Sequence, residues 1–165
     1  MRALTKSSPP KKDWLQINDI ILATVTLIES EIRQNQVSLH TDLADDVPPV
    51  QGDRVQLQQV ILNLVLNALE AMNRLPAGPR DLIISSAKND SKGVRIAVQD
   101  SGIGLAPDNL DRLFSAFYTT KTDGMGMGLA ISRSIVEAHG GRIWATPNAP
   151  RGAVFQFILP VGMEP

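Results

Sequence analysis

The stretch Asp100-Ser101-Gly102-Ile103-Gly104 comes directly after an alternating apolar run formed by Val94, Ile96 and Val98. Such alternation predicts a strand with one buried face, so the carboxylate of Asp100 is expected at a strand end. A second glycine cluster, Gly124-Met125-Gly126-Met127-Gly128, opens a helical pattern. Neither cluster has the glycine-lysine-serine ending of the phosphate loop, and neither is the strand-to-helix dinucleotide fingerprint. One acid and two glycine clusters therefore predict a nucleotide pocket of another design.

The composition indicates about one domain that is stabilised by packing alone. The 165 residues are 43% hydrophobic and include no cysteine, which suits a core without disulfides and the reducing cytoplasm. A formal net charge of −1 and an aromatic content of 4% provide neither a long-range field nor a stacking surface for nucleic acid. We therefore expect a cytoplasmic domain that binds no nucleic acid.

No segment of the chain predicts membrane insertion or export. The most apolar stretch, residues 60–69, is interrupted by Asn63 and Asn67 and has roughly half the length of a membrane span. The N-terminus shows no cationic and apolar leader. We expect residues 1–13 to be a linker and residues 14–165 to be the folded domain, with no direct membrane contact.

The first half of the chain predicts two helices and one strand. Apolar residues at helical spacing predict an amphipathic helix over residues 17–34, and alternation predicts a strand over residues 37–43. Asp53 is a suitable N-cap for a long helix that reaches about Leu75.

The second half predicts two hairpins, a flexible segment and a third helix. The hairpin strands are expected at residues 82–87 and 94–98, and at residues 143–145 and 153–159. Residues 105–123 have only a weak helical patch, and we expect them to form a mobile lid. The third helix is predicted at about residues 129–139, where Gly140-Gly141 forms a left-handed C-cap and a partial positive charge on His139 suits the helix dipole.

This order of elements is not a regular alternation of strand and helix. It therefore favours an α+β fold, a two-layer α/β sandwich in which three main helices cover one face of a mixed sheet of about five strands.

Polar residues form one stripe along the long helix at steps of three or four: Gln59, Asn63, Asn67, Glu70 and Arg74. A solvated face is one interpretation, but asparagine is a mediocre helix former. Amide oxygens are hard neutral ligands suited to Mg²⁺, which takes few protein ligands. We therefore interpret the asparagines as functional.

The two glycine clusters each have a functional and a structural interpretation. Asp100 can accept a hydrogen bond from an exocyclic amine, and Gly102 and Gly104 let the backbone pass close to a flat ring. Gly124, Gly126 and Gly128 are expected just before a helix N-terminus, where free amides attract phosphate oxygens. Taken singly, each cluster could be only a turn or a cap.

Considered in order, these motifs strongly resemble the ATP-binding catalytic domain of sensor histidine kinases, from about Ile17 to Leu159. The matching segments are the N box at residues 63–68, the G1 box at residues 100–104, the F box at residues 114–117, the G2 box at residues 124–128 and a final glycine-containing strand start at residues 152–155. The resemblance implies the Bergerat-type ATP-binding fold shared with gyrase, heat-shock chaperones and mismatch-repair ATPases.

The resemblance also implies roles for single residues. Asp100 would bind the adenine amine, Asn67 would hold Mg²⁺, and Asn63 would assist at the metal and phosphates. The remaining residues of the implied nucleotide site are Gly102, Gly104, Thr120, Lys121, Gly124, Gly126, Gly128 and Leu129.

Two departures from related sequences affect the implied chemistry. Hydrolytic relatives carry a glutamate base at the position of Asn63, and an amide cannot abstract a proton, which favours phosphoryl transfer over hydrolysis. Many histidine kinases have a basic residue at the position of Glu70. Lys121 or Arg133 would then supply the positive charge, and we favour Lys121 as a catalytic residue beside Asn63. The alternative interpretation of Lys121 is a solvent-exposed lysine of the lid.

The resemblance further implies partners that this chain lacks. Its two histidines, His40 and His139, lack the acidic residue that normally follows the phosphoacceptor. The acceptor would lie on a dimerisation helix pair, of which residues 1–13 could be a remnant, and a response regulator would receive the phosphoryl group. We expect the isolated domain to be a monomer. A nucleotide-gated interaction module and an anti-sigma-type serine kinase remain alternatives.

Overall fold

The computed structural model describes residues 12–75, 78–89, 93–104, 114 and 126–161 of the chain. The elements in chain order are β1 (Asp13–Leu15), α1 (Ile17–Leu27), α2 (Glu29–Gln34), β2 (Ser38–Leu43), β3 (Val50–Gly52), α3 (Arg54–Asn73), β4 (Asp81–Asn89), β5 (Gly93–Asp100), α4 (Gly126–Ala138), β6 (Arg142–Pro147) and β7 (Ala153–Pro160).

Five strands form one mixed sheet in the order β2-β4-β5-β7-β6. Strand β2 pairs with β4 in parallel, and the other three pairs are antiparallel. Alternate residues of β4, β5 and β7 are buried, so one face of the sheet contributes to the core. The strand at residues 37–43 and both hairpins are therefore confirmed.

The helices cover that buried face. Ile20 of α1, Leu64 of α3 and Val136 of α4 belong to one apolar cluster together with Ile96 and Phe157 of the sheet. This arrangement confirms the predicted α+β sandwich with helices on one side. Within the described part of the chain, no helix has both the length and the apolar character that a membrane span requires.

The single helix predicted over residues 17–34 is wrong, because the chain forms α1 and α2 with a break at Ile28. Ile28 has φ −114° and ψ 20°, outside the helical range. The hydroxyl of Thr24 donates to the Ile20 carbonyl at 2.8 Å, and that of Thr26 donates to the Leu22 carbonyl at 3.0 Å. Such side-chain bonds to the preceding turn often bend helices, and here they occur just before the break.

A second, two-stranded sheet was not predicted. Strands β1 and β3 pair antiparallel, with Trp14 opposite Gln51. Strands of three residues are too short to produce a recognisable alternation. This small sheet fixes the chain immediately before the start of α3.

The N-terminus of α3 is held by its own cap and by a distant histidine. The Asp53 carboxylate accepts from the Gln56 N–H at 3.1 Å, which confirms the predicted N-cap. The Asp53 N–H donates to His139 Nε2 at 3.0 Å, and His139 Nδ1 lies 2.8 Å from the Ile135 carbonyl. Because Nε2 accepts, the hydrogen is on Nδ1. The Nδ1–H thus presents a partial positive charge to a carbonyl in the last turn of α4, and the ring joins the end of α4 to the start of α3.

The glycine after His139 has the predicted conformation. Gly140 has φ +82°, the left-handed conformation expected of a glycine helix cap.

Candidate nucleotide-binding site

The carboxylate of Asp100 is buried at the end of β5, with only 1% of the residue exposed. Its Oδ1 accepts from the Gly102 N–H at 2.8 Å, whereas its buried Oδ2 has no hydrogen-bond partner in the described part of the chain. Burial raises the pKa of the Asp100 carboxyl to about 6, and the backbone N–H groups of Gly102 and Ala153 act in the opposite direction. The strand end thus presents a buried carboxylate oxygen, Oδ2, that accepts no hydrogen bond within the described part of the chain, although the Ala153 N–H is near enough to lower the pKa.

The turn between β6 and β7 holds Asp100 from its backbone side. The Asn148 side-chain amide donates to the Asp100 carbonyl at 2.9 Å. Gly152 has φ +108°, and a Cβ at this position would collide with the Asp100 carbonyl oxygen. A glycine is therefore required where the turn passes Asp100.

The glycines after Asp100 pack against two other elements. A Cβ at Gly102 would lie 2.7 Å from the backbone carbon of Ala71, and the Ile103 N–H donates to the Ala71 carbonyl at 3.3 Å. Gly104 has φ +83°, and a Cβ there would lie 3.2 Å from the Gly152 carbonyl oxygen. Both glycines thus have packing reasons, besides the predicted approach of a ligand.

The loop after Asp100 and the helix asparagines lie side by side. Asn67 and Ala71 are one helical turn apart on α3 and therefore share a face, and Gly102 contacts Ala71. Asn67 is partly buried and Asn63 is 8% exposed, so this part of the polar stripe is not a solvated surface.

The amide of Asn63 joins α3 to the first turns of α4. Its Nδ2 donates to the Gly128 carbonyl and to the Ser132 hydroxyl, each at 3.1 Å. Its Oδ1 accepts from the Gln59 side chain at 2.7 Å. Asn63 therefore has a protein partner for each of its two side-chain polar atoms.

Two glycines of the second cluster, Gly126 and Gly128, lie inside the helix and not before it. Helix α4 begins at Gly126, three residues earlier than predicted, so Gly126 and Gly128 belong to its first turn. A Cβ at Gly128 would make only ordinary contact with Asn63, 3.5 Å from Cγ. Leu129 is 6% exposed and packs in the core, which leaves its backbone as the part available to a ligand.

Several predicted site residues lie outside the described residues: Thr120, Lys121, Gly124 and, apart from Phe114, the predicted lid at residues 105–123. Phe114 is buried and packs edge-to-face on Phe155, with ring centroids 6.1 Å apart. Arg133 is exposed, and its Nε lies 3.2 Å from the Glu137 carboxylate one turn later.

Two contributing residues were missed from the sequence. Ser132 and Asn148 contact Asn63 and Asp100, which are 69 and 48 positions away in the chain. In the sequence, Ser132 and Asn148 are single polar residues near apolar ones, a pattern too common in any sequence to mark them as part of a site.

The described residues also limit how a metal ion could bind. They contain no group of three or more histidine, aspartate, glutamate or cysteine side chains that could hold one. A cation at Asn67 would therefore depend on oxygen atoms from a ligand or from water. This is the usual situation for Mg²⁺ bound with a nucleotide.

Comparisons with known proteins agree with this geometry. Residues 52–163 match the family described as histidine kinase-, DNA gyrase B-, and HSP90-like ATPase. The sensor histidine kinase TmoS of Ectopseudomonas mendocina is 37% identical over 162 residues, which are 98% of this chain and 17% of TmoS. The sensor protein FixL of Bradyrhizobium diazoefficiens is 46% identical over 132 residues, 80% of this chain and 26% of FixL. The chain thus spans only a minor part of these relatives.

Solved structures show the same fold. The nucleotide-free catalytic domain of histidine kinase ThkA superposes with a TM-score of 0.79 at 32% identity, over 91% of this chain and 97% of that domain. Full-length ShkA in complex with AMPPNP gives 0.82 at 26% identity, over 99% of this chain and 34% of ShkA. ThkA in complex with the response regulator protein TrrA gives 0.80 at 29% identity, over 97% and 45%.

Fold and site together define an ATP-binding domain of the α+β sandwich class. The chain belongs to the histidine kinase-, DNA gyrase B-, and HSP90-like ATPase family, and within it is homologous to the catalytic domains of sensor histidine kinases. The resemblance and the fold class inferred from the sequence are therefore confirmed.

Proposed function

We propose that this domain binds Mg-ATP and supplies the γ-phosphoryl group to a histidine on the dimerisation helix pair of a two-component sensor kinase. The observation that carries the proposal is the buried Oδ2 of Asp100, which has no hydrogen-bond partner in the described part of the chain. A buried acceptor of this kind costs free energy until a donor reaches it. The exocyclic amine of adenine is such a donor.

The first turn of α4 supports a place for the phosphates. The N–H groups of the first four residues of a helix have no partner within the helix, and they attract anions. Gly126, Gly128 and Leu129 are among those four residues. Because Gly128 has no side chain, the ligand could approach beside Asn63.

Asn67 would hold the cation through its neutral amide oxygen, on the face of α3 that also carries Ala71. When bound, Mg²⁺ neutralises charge on the phosphates during transfer. Asn63 cannot act as a base toward water, so we expect transfer to exceed hydrolysis. Arg133 pairs with Glu137 on the surface. Lys121, together with Thr120 and Gly124, therefore remains the proposed source of further contacts to the phosphates.

Neither histidine of this chain suits the acceptor role. His40 is exposed on the edge strand β2 and is followed by Thr41. His139 is buried, and both of its ring nitrogens have hydrogen-bond partners. The acceptor would therefore belong to a separate helix pair, and a response regulator would receive the phosphoryl group from it. We also propose that the domain acts in the cytoplasm and is monomeric when isolated.

The test combines this domain, Mg²⁺ and ATP labelled at the γ-phosphate with a separately produced helix pair that carries the acceptor histidine. We expect acid-labile label on that histidine, slow release of free phosphate, and loss of transfer in Asn67→Ala. ATP binding without transfer to any matched acceptor would instead indicate a nucleotide-gated interaction module. Label that is stable to acid would indicate a serine kinase.

A further inference from the structure

The orientation of the Asn63 amide is fixed by its partner on α4. The Gly128 carbonyl can only accept a hydrogen bond, so the group that faces it at 3.1 Å must be the Nδ2 of Asn63. The oxygen Oδ1 therefore faces the opposite side, where Gln59 donates to it at 2.7 Å. The amide has one orientation, and its oxygen is on the side of Gln59.

Ser132 provides the second contact that holds this orientation. Ser132 is 0% exposed, and the one hydrogen bond of its hydroxyl within the described part of the chain is that with Asn63 Nδ2. Serine is an unfavourable choice for a buried position inside a helix unless its hydroxyl has a partner. Ser132 is too far into α4 to belong to the helix start, and it has no part in the contacts proposed above for ATP.

Gln59 differs from Ser132 in exposure and in the atom that it contacts. Its side chain is exposed at the surface of α3, so water can replace its hydrogen bond when Asn63 Oδ1 takes another partner. Ser132 contacts the nitrogen side of the same amide and has no such access to water. The two neighbours should therefore affect a ligand of Asn63 in opposite directions.

We propose that Ser132 is a positioning residue that, with the Gly128 carbonyl, holds the Asn63 amide in the orientation in which Oδ1 is the atom that it can offer to a ligand, and that Gln59 competes with the ligand for this oxygen. The inference rests on the proposed function of the domain. An amide oxygen accepts hydrogen bonds, for example from the water of a hydrated cation, and it cannot donate to a phosphate. The orientation thus assigns Asn63 to the hydrated cation and not directly to the phosphates.

Four variants separate this role from a purely structural one. Ser132→Ala should weaken binding of ATP with Mg²⁺ by about two- to tenfold, the effect of one lost hydrogen bond, and should leave binding of ATP with EDTA unchanged. Gln59→Ala should strengthen binding of ATP with Mg²⁺ by about twofold, because a competing donor is lost. Ser134→Ala, an exposed change two residues along the same helix, should change neither. Ser132→Cys places a weak sulfur acceptor at the same position, in a slightly larger side chain, and should fall between wild type and Ser132→Ala.

A measurement without nucleotide tests the same hydrogen bonds directly. In the free wild-type protein the Asn63 side-chain N–H groups should exchange slowly with solvent and give shifted NMR signals. Ser132→Ala should speed this exchange, and Ser134→Ala should not. In an Asn63→Ala background, Ser132→Ala should have no further effect on Mg-ATP binding, since the group that it orients is gone.

The results distinguish this inference from the proposed function. If wild type fails to bind ATP, the proposed function is wrong. If wild type binds Mg-ATP but Ser132→Ala reduces binding equally with and without the cation, Ser132 only supports the fold. A loss of Mg-ATP affinity in Gln59→Ala would also overturn the inference, because Gln59 would then assist the ligand.

Discussion

The two ends of the candidate site are held in opposite ways. At the sheet end, Asp100 is fixed by Gly102 and Asn148 but keeps one buried oxygen without a partner in the described part of the chain. At the helix end, both polar atoms of the Asn63 side chain have protein partners, on α3 and on α4.

The difference indicates which end is ready for a ligand. At the end proposed for adenine, Asp100 Oδ2 needs only a donor, so base binding in the proposed mode would gain a hydrogen bond and break none. At the proposed phosphate end, a ligand that donates to Asn63 Oδ1 must share this oxygen with Gln59 or replace it. We infer that base recognition is preorganised and that the phosphate end adjusts on binding.

The most severe test of a preformed adenine end is Gly152→Ala. Gly152 has φ +108°, a conformation in which alanine is strained, and the added Cβ would collide with the Asp100 carbonyl oxygen. We therefore expect the free energy of unfolding to fall by about 3 kcal/mol. Gly78→Ala is the matched control. Its φ is +117°, but its Cβ meets only the end of the Arg151 side chain, at 3.1 Å. Chemical denaturation of both variants measures the difference, and equal losses would mean that the turn does not hold Asp100 tightly.

The next largest effect is expected from Asp100→Asn. The substitution removes the charge and offers an amide where the adenine amine needs an acceptor, which should weaken ATP binding at least about tenfold by calorimetry. Asp81→Asn, at an exposed position at the start of the adjacent strand β4, is the control and should bind normally. Unchanged affinity in Asp100→Asn would remove the adenine assignment.

The sequence predicted those parts of the molecule that depend on local patterns. Alternation located the central strands, and Asp53 marked the start of α3. Asp100 and Asn63 were identified because their motifs occur in a specific order. Their burial follows from the confirmed fold.

The features that the sequence did not predict depend on contacts between distant segments. The break at Ile28 follows two side-chain hydrogen bonds, from Thr24 and Thr26 to the preceding turn, that a periodic pattern does not show. The role of His139 depends on an N–H that lies 86 positions earlier in the chain. Ser132 likewise becomes interpretable only when α4 lies against α3.

Measuring ATP affinity over a pH series distinguishes the two ends of the site further, because the Asp100 carboxyl should titrate near pH 6 and the Asn63 amide does not titrate. Burial raises the pKa of Asp100 to about 6. The adenine amine favours the ionised form, so ATP affinity should rise with pH from 5 to 7, by up to about tenfold. In Asp100→Asn the part of this rise that comes from ionisation of Asp100 should be absent. Any pH dependence that remains in the variant then reports protonation of the triphosphate.

The same pKa has the opposite effect on the stability of the free protein. The folded state holds the Asp100 proton more tightly than the unfolded state does. Its contribution to the free energy of unfolding is therefore full below pH about 4 and is lost as the pH rises through about 6. Chemical denaturation of wild type and Asp100→Asn at pH 4 and at pH 7 measures this contribution. If the two proteins differ in free energy of unfolding by the same amount at both pH values, the raised pKa of Asp100 is contradicted.

The smallest effect tests whether the backbone of Asp100 must also be held. Asn148→Ala removes the donor to the Asp100 carbonyl, and we expect ATP affinity to fall by about two- to fivefold while stability falls by about 1 kcal/mol. Asn18→Ala is the matched control, because its amide donates to the Ala44 carbonyl at the same 2.9 Å, in a different part of the fold. A similar loss of stability with unchanged ATP affinity is expected there. If both variants lose affinity equally, the effect is one of general stability. If Asn148→Ala keeps full affinity, Gly102 and Gly152 alone suffice to hold the acid.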